Sequence, residues 1–476
     1  MAKFNSRGAR LTALALATGT LVVAGTGTAG ANPVAVPAVF GGTARGTAIH
    51  LEINLPQAIP ANVPVVGGIT SLVQDISFTE GDTSKAPAKV TSVAKAVLGN
   101  GNVVLLSDVL GKKVTSSLDG AQTANDAILA QDLGLIKVGV GQITSNVLPD
   151  TATTGLTSSS ASSLAELHVG LAGLDLPVKD QITEVVNTLN STVDTANGTV
   201  NQALQSAFDV LDGVAQGADA PVVEQVKAVK AQLDSLVKSL QQVLAGVTAD
   251  TDLVNLSLLK SSENISRAGA MVTSKAVSEV GGLDILGGLV TVDAVKTESV
   301  SSANGVKGAA AADTRTTIAH VKVADKLELA LTKDGLSGSL LGQDLPAAAQ
   351  DAVSTVIDTV NGVLSVAGVQ IIEGKKTSSV DPNGQFASSS SEGVGIVVNP
   401  LHAAKPLVLV QLVPAGTAVN AAQAGKKHTV VTPPKVTTPD EKRTMPRTGA
   451  ELPLFALFGT GLAGAAVIRR RRTVEA

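Results

Sequence analysis

Three of the five histidines sit in matching surroundings. His50 precedes Leu51-Glu52-Ile53, His168 precedes Val169-Gly170-Leu171, and His320 precedes Val321-Lys322-Val323. Each alternates with apolar neighbours, so each belongs on the polar face of a strand. Stacked repeats would bring three imidazoles together as metal ligands. The same pattern also arises when one polar-face residue is copied by duplication. No nearby Asp or Glu has the spacing of a metal motif, so no metal and no cofactor is assigned. Gly99-Asn100-Gly101 and Gly139-Val140-Gly141 lack the rest of a phosphate-binding fingerprint and read as turns. No G-x-S-x-G, H-E-x-x-H or EF-hand loop occurs. With no Cys, thiol chemistry, disulfides and thiolate metal sites are excluded. No catalytic residue is assigned, and no enzyme activity is expected.

The histidines need strands to hold them. Gly46 to Leu55 alternates Ile49, Leu51, Ile53 and Leu55 with His50, Glu52 and Asn54. Similar runs occur at 167–171, 290–295, 318–331 and 407–413, and short alternating runs point to antiparallel sheet. Helix is expected elsewhere. Val222, Val226, Val229, Leu233, Leu236, Leu240 and Val243 form a heptad seam, and Ile182, Val186, Leu189, Val193, Ala196, Val200, Ala203 and Ala207 form another. Gly217, Asp219 and Pro221 lie between them, suited to ending one helix and starting the next. This predicts an antiparallel helical hairpin over about 177 to 246, either projecting or packed on a sheet.

A repeat is also visible. Asp175-Leu176-Pro177 and Asp344-Leu345-Pro346 each open a helical segment, and each follows a strand and a Ser/Ala/Thr-rich strand. The expected fold is therefore α+β: at least two antiparallel β-sheet units with helical insertions, including a long helical hairpin. The expected boundaries are a β-rich unit at 32–174, the hairpin at 175–250, a second β-rich unit with one helix at 251–414, and a Pro/Thr/Lys-rich linker at 415–444. Extended, such a linker of roughly 30 residues reaches about 90 Å at ~3.1 Å per residue.

Composition excludes several partners. There are seven Phe, no Trp and no Tyr. Stacking on glycans, choline-type cages and single-stranded bases all rely on aromatic faces. The net charge of −4 argues against nucleic acid.

The two ends carry the clearest signals. Lys3, Arg7 and Arg10 precede an apolar run from Leu11 to Val23, and Ala29-Gly30-Ala31 gives a small-x-small cleavage pattern. Residues 1–31 thus read as a secretory signal peptide, cut after Ala31 with Ala29 and Ala31 as the small residues. At the other end, 445–476, Met445-Pro446-Arg447-Thr448-Gly449 is followed by an apolar stretch, 452–468, and by Arg469-Arg470-Arg471-Arg472. As a helix the stretch is about 25 Å long, near the lower limit for a membrane span, and the arginines would stop transfer on the cytoplasmic side.

This C-terminal order resembles the sorting signal of LPxTG cell-wall-anchored proteins of Gram-positive bacteria. Met445 stands where Leu is usual in that family. The resemblance covers roughly the last 35 residues. It implies that a sortase cleaves between Thr448 and Gly449 and joins Thr448 to peptidoglycan, after transient membrane insertion of the tail. The expected place is the cell wall, with an extracellular partner that no motif names. The expected role is structural, adhesive or spacing. A surface binding module is the alternative, and an extracellular hydrolase would require a pocket of convergent polar groups.

Overall fold

The computed structural model describes residues 37–54, 71–86, 89–101, 110–132, 136–149, 155–170, most of 201–245, 252–285, 287–288, 290–323, 327–332, 335–337, 369–398 and 408–423, with isolated helical positions at 191, 198, 358 and 361. The chain enters a first sheet through three long strands, β1 (Val39–Asn54), β2 (Ser71–Ala86) and β3 (Lys89–Gly101), and the short β4 (Lys113–Ser117). A second sheet follows with β5 (Thr123–Ile128), β6 (Gln131–Asp132), β7 (Ile136–Val138), β8 (Gly141–Leu148), β9 (Thr157–Leu164) and β10 (Leu167–Gly170). After helix α1 (Ala220–Ala245) the same sheet continues through β11 (Asp252–Leu256), β12 (Leu258–Ala268), β13 (Met271–Ile285), β14 (Val290–Ala303), β15 (Ala311–Val323), β16 (Leu327–Thr332) and β17 (Gly335–Ser337). The chain then returns to the first sheet as β18 (Val369–Glu373), β19 (Lys376–Val380), β20 (Phe386–Ser391), β21 (Val394–Val398), β22 (Val408–Leu412) and β23 (Ala415–Ala422).

Neighbours in sequence are mostly neighbours in space. β1 pairs with β2, and β2 with β3, antiparallel over nearly their full lengths. In the second sheet β12, β13, β14 and β15 follow one another in the same way. The two ends of the described chain meet inside the first sheet, where β1 pairs with β23 from Val39↔Ala422 to Gly46↔Ala415 and with β22 from Ile49↔Leu412 to Ile53↔Val408. Several strands bend at one level. Ser77 and Val413 take positive φ in the first sheet, and Gly282 and His320 do so in the second. Ladder pairing resumes on either side, for example Val292↔Val321 and Ala294↔Ala319 around His320. Positive φ is unfavourable for all but glycine, so these bends are held by the ladders that flank them.

The sheets stack face to face, and two kinds of core lie between them. Toward one end the buried side chains are aliphatic, among them Ile49, Leu51, Ile76, Leu256, Ile285, Ile396 and Leu412. Toward the other they are Ser, Thr, Ala and Gly, closed off by a cluster of Phe40, Leu156, Val272, Ala303, Ala387, Val419 and Ala421. In β9 alternate residues are buried, and three of them are Ser158, Ser160 and Ser162. So small an inward residue lets the sheets approach closer than the usual ~10 Å. Gly46 shows the consequence, since a Cβ there would meet Ser278 Oγ at 3.0 Å and the Val277 carbonyl at 3.2 Å.

Four expectations are corrected. The fold is mostly β rather than α+β, and a long helical hairpin is not supported as one of its elements. The heptad seam at 222–243 does fall on α1, with Val226 and Val229 buried, and 204–215 is helical beside it, joined through Lys230 and Asp212 at 2.7 Å. Elsewhere in the expected first arm Ser191, Gly198, Asn201 and Gln202 are described and helical, and the other positions lie outside the described residues. What tips the balance toward strand is the Ser- and Thr-rich sequence. It lacks aliphatic periodicity, yet it forms long strands because its buried hydroxyls find partners across the sheets. Second, 415–422 is not linker. It is β23, a buried strand between β1 and β20. The β-rich blocks on either side of 175–250 also do not separate by sheet: β5–β10 and β11–β17 share one, and β1–β4 share the other with β18–β23. Gly99-Asn100-Gly101, expected as a turn, is the paired end of β3.

Candidate functional site

Among the described residues, hydroxyls facing across the sheets build an ordered polar arrangement. Ser158, Ser160 and Ser162 on β9 donate to the carbonyls of Val93, Lys95 and Val97 on β3, at 3.3, 2.9 and 3.1 Å. Ser77 donates back to Ser162 O at 2.9 Å. A strand carbonyl has two lone pairs, and the ladder uses only one. The second is what the opposing serine takes, which satisfies a hydroxyl that burial would otherwise penalise.

A second set surrounds β23. Ser278 on β13 donates to Pro414 O at 3.1 Å, and Ser299 on β14 to Ala415 O at 3.3 Å. Ser301 lies 2.8 Å from Thr417 Oγ1 and donates to Thr417 O at 3.4 Å. Ser389 on β20 completes the group, 3.0 Å from Thr417 Oγ1 and donating to Val300 O at 3.2 Å. The last strand is thus held by ladders on both edges and by hydroxyls from the opposite sheet. Just beyond it Gln423 Nε2 donates to Asn304 O at 2.5 Å.

Glu263 interrupts this interior. It sits on β12, 3 % exposed, and neither carboxyl oxygen has a hydrogen-bond partner. The neighbouring Ser160 has its proton committed to Lys95 O. The Ser261 hydroxyl is also unpartnered. Burial pushes the Glu263 carboxyl well above the ordinary range, and the Glu80 charge adds to the effect. The acid is therefore held neutral. Gly81 makes room for it, because a Cβ at that position would overlap the carboxyl group. Glu392, in the break between β20 and β21, is raised to about 7 by burial, opposed by the Lys375 N–H that it accepts at 2.9 Å.

The histidines are not brought into one site. His50 Nδ1 lies 2.7 Å from Asp75 Oδ1, and Arg45 lies 3.4 Å from the other oxygen. His168 Nδ1 pairs with Asp252 at 3.1 Å, with Glu166 4.0 Å from its Nε2. His50 belongs to the first sheet and His168 and His320 to the second. Among the described residues no group of three or more His, Asp or Glu could hold a metal. The imidazoles of His50 and His168 are each oriented by a carboxylate.

The residues of the two end signals, Ala29 and Ala31, Met445 to Gly449, and Arg469 to Arg472, lie outside the described residues, as does 452–468. Among the described residues no helix is long and apolar enough to cross a membrane. Sequence inspection passed over Glu263 and the hydroxyl rows. A signal was present, since Glu263 shares its parity along β12 with Leu259 and Ile265, both buried. No protein-family model matches the chain, and no curated protein matches it.

Proposed function

We propose that the protein is an exported surface protein, covalently joined to peptidoglycan through Thr448 by a sortase, with a structural or spacing role. The observation that carries this is the fixed order of Met445-Pro446-Arg447-Thr448-Gly449, apolar stretch and arginine cluster, with a signal peptide at the other end. The architecture agrees with the role. The final strand leaves the fold beside Phe40 and Ala303, at the serine-rich end. The chain that carries α1 leaves the sheet at Gly170 and rejoins at Asp252, at the other end of the strands. A tail tethered at one end would therefore leave the points where that insertion departs from and rejoins the sheet at the other end. The hydroxyl rows are satisfied internally, so they serve cohesion rather than recognition.

Cell fractionation with and without a muramidase, followed by C-terminal mass spectrometry, tests this. Release only by wall digestion, with a C-terminus at Thr448 carrying a peptidoglycan fragment, is the expected result. A membrane-bound product that retains Gly449 onward would sink it.

A further inference from the structure

We infer that β23 resists pulling force: its registers and hydroxyl contacts make it a shear clamp for tension arriving through the C-terminal tail. Tension at the tail rests on the wall-anchoring proposal; the resistance of the strand to it does not.

The geometry is specific. β23 runs from Ala415 to Ala422, and the tail continues from its end. Pulling the tail away from the fold loads the strand along its own axis. Ladder bonds lie perpendicular to an antiparallel strand, so all of them resist in parallel and none can open alone. β23 has such ladders on both edges, from Val39↔Ala422 to Gly46↔Ala415 on β1 and from Phe386↔Asn420 to Ser391↔Ala415 on β20. The opposite sheet adds a third restraint. Ser278, Ser299 and Ser301 hold the carbonyls of Pro414, Ala415 and Thr417, and the Thr417 hydroxyl sits between Ser301 and Ser389. These contacts also point across the pulling direction, so slippage of β23 by even one residue breaks them together. The other candidate path gives the opposite outcome. The N-terminal end of β1 and the C-terminal end of β23 form the first rung, Val39↔Ala422, so pulling those two ends apart opens one rung at a time.

Forced unfolding reports the barrier along the chosen pulling direction, so single-molecule force spectroscopy on the mature chain separates the two. The absence of native cysteine permits defined handles. One handle is placed on the tail beyond Gln423. The other is placed either at a cysteine introduced by Lys322→Cys, near the far end of β15, or ahead of Val39. The expected result is a several-fold higher rupture force with the Lys322→Cys handle than with the N-terminal one. Thr417→Val should lower the first force and leave the second unchanged, and Thr417→Ser, which keeps the hydroxyl, should restore it. Equal forces in the two geometries would overturn the clamp, as would a first force indifferent to Thr417→Val. A strong clamp in a protein released without wall digestion would retain this inference and reject the anchoring proposal. A weak clamp in a wall-linked protein would do the reverse.

Discussion

Replacing Glu263 by Gln should change how stability depends on pH more than it changes stability itself. Glu263 is protonated in the fold because ionising it would place an unpaired charge between two sheets. In the unfolded chain it titrates near the ordinary glutamate value, 4.5. Above that value the unfolded state has lost the proton while the native state keeps it. Stability therefore falls as pH rises, from the unfolded value up to the raised native one, by about 1.4 kcal/mol per pH unit. Because burial raises the native value well above 4.5, the loss continues through the pH range above that value. Gln cannot ionise, so Glu263→Gln removes this slope. It also leaves a buried amide unpaired, at a cost of about 1–3 kcal/mol. The two curves should converge as pH rises above 4.5: wild type has its greatest advantage at the low end, and the variant gains on it with each pH unit. Urea unfolding across that range, comparing midpoints at constant m-value, makes the measurement. The same pH slope in both proteins would show that Glu263 is not the proton held by the fold.

Three further outcomes are expected. Gly81→Ala should destabilise by about 1–3 kcal/mol through overlap with the Glu263 carboxyl, and much less in a Glu263→Ala background, a coupling readable by a double-mutant cycle. Ser162→Ala should cost about 1 kcal/mol for its lost bond to Val97 O, whereas Ser162→Val should cost more, because the sheets are too close for its extra methyl groups; thermal melts distinguish them. Glu392→Gln should flatten the part of the pH dependence between 4.5 and about 7, in the same direction as Glu263→Gln but by less than a full unit slope, since this group is partly open to solvent.

The aliphatic half of the fold was legible in the sequence because hydrophobic alternation marks buried faces. Ile49 and Leu51, Val290 and Val292, and Val410 and Leu412 are all buried in strands, where their spacing placed them. The serine-rich half was not. Strands such as β2, β12 and β20 bury Thr79, Ser261 and Ser389 in positions that elsewhere hold Val or Ile. Period two persists there, but in size and hydroxyl content rather than in hydrophobicity. In 415–422 the small residues are chiefly Ala and Gly, with one Thr and one Val, and that composition let the strand pass for linker. The candidate polar network was hidden for a related reason: its partners are main-chain carbonyls on a distant strand, such as Ser160 with Lys95, and a carbonyl leaves no trace in residue type. The three histidines in matching surroundings were visible, but His50 lies in one sheet, and His168 and His320 lie on strands of the other that do not pair with each other.

Pairing between the first and last strands also orders events in time. β1 is made first among these strands, yet one of its two edges stays open until Val408 to Ala422 arrives, after more than 300 intervening residues. Contacts so distant in sequence slow folding. On the proposed route of export, the first sheet would be completed only when almost all of the chain has emerged. The strand that closes the sheet also adjoins the tail, so completion of the fold and arrival of the tail are tied to the same few residues.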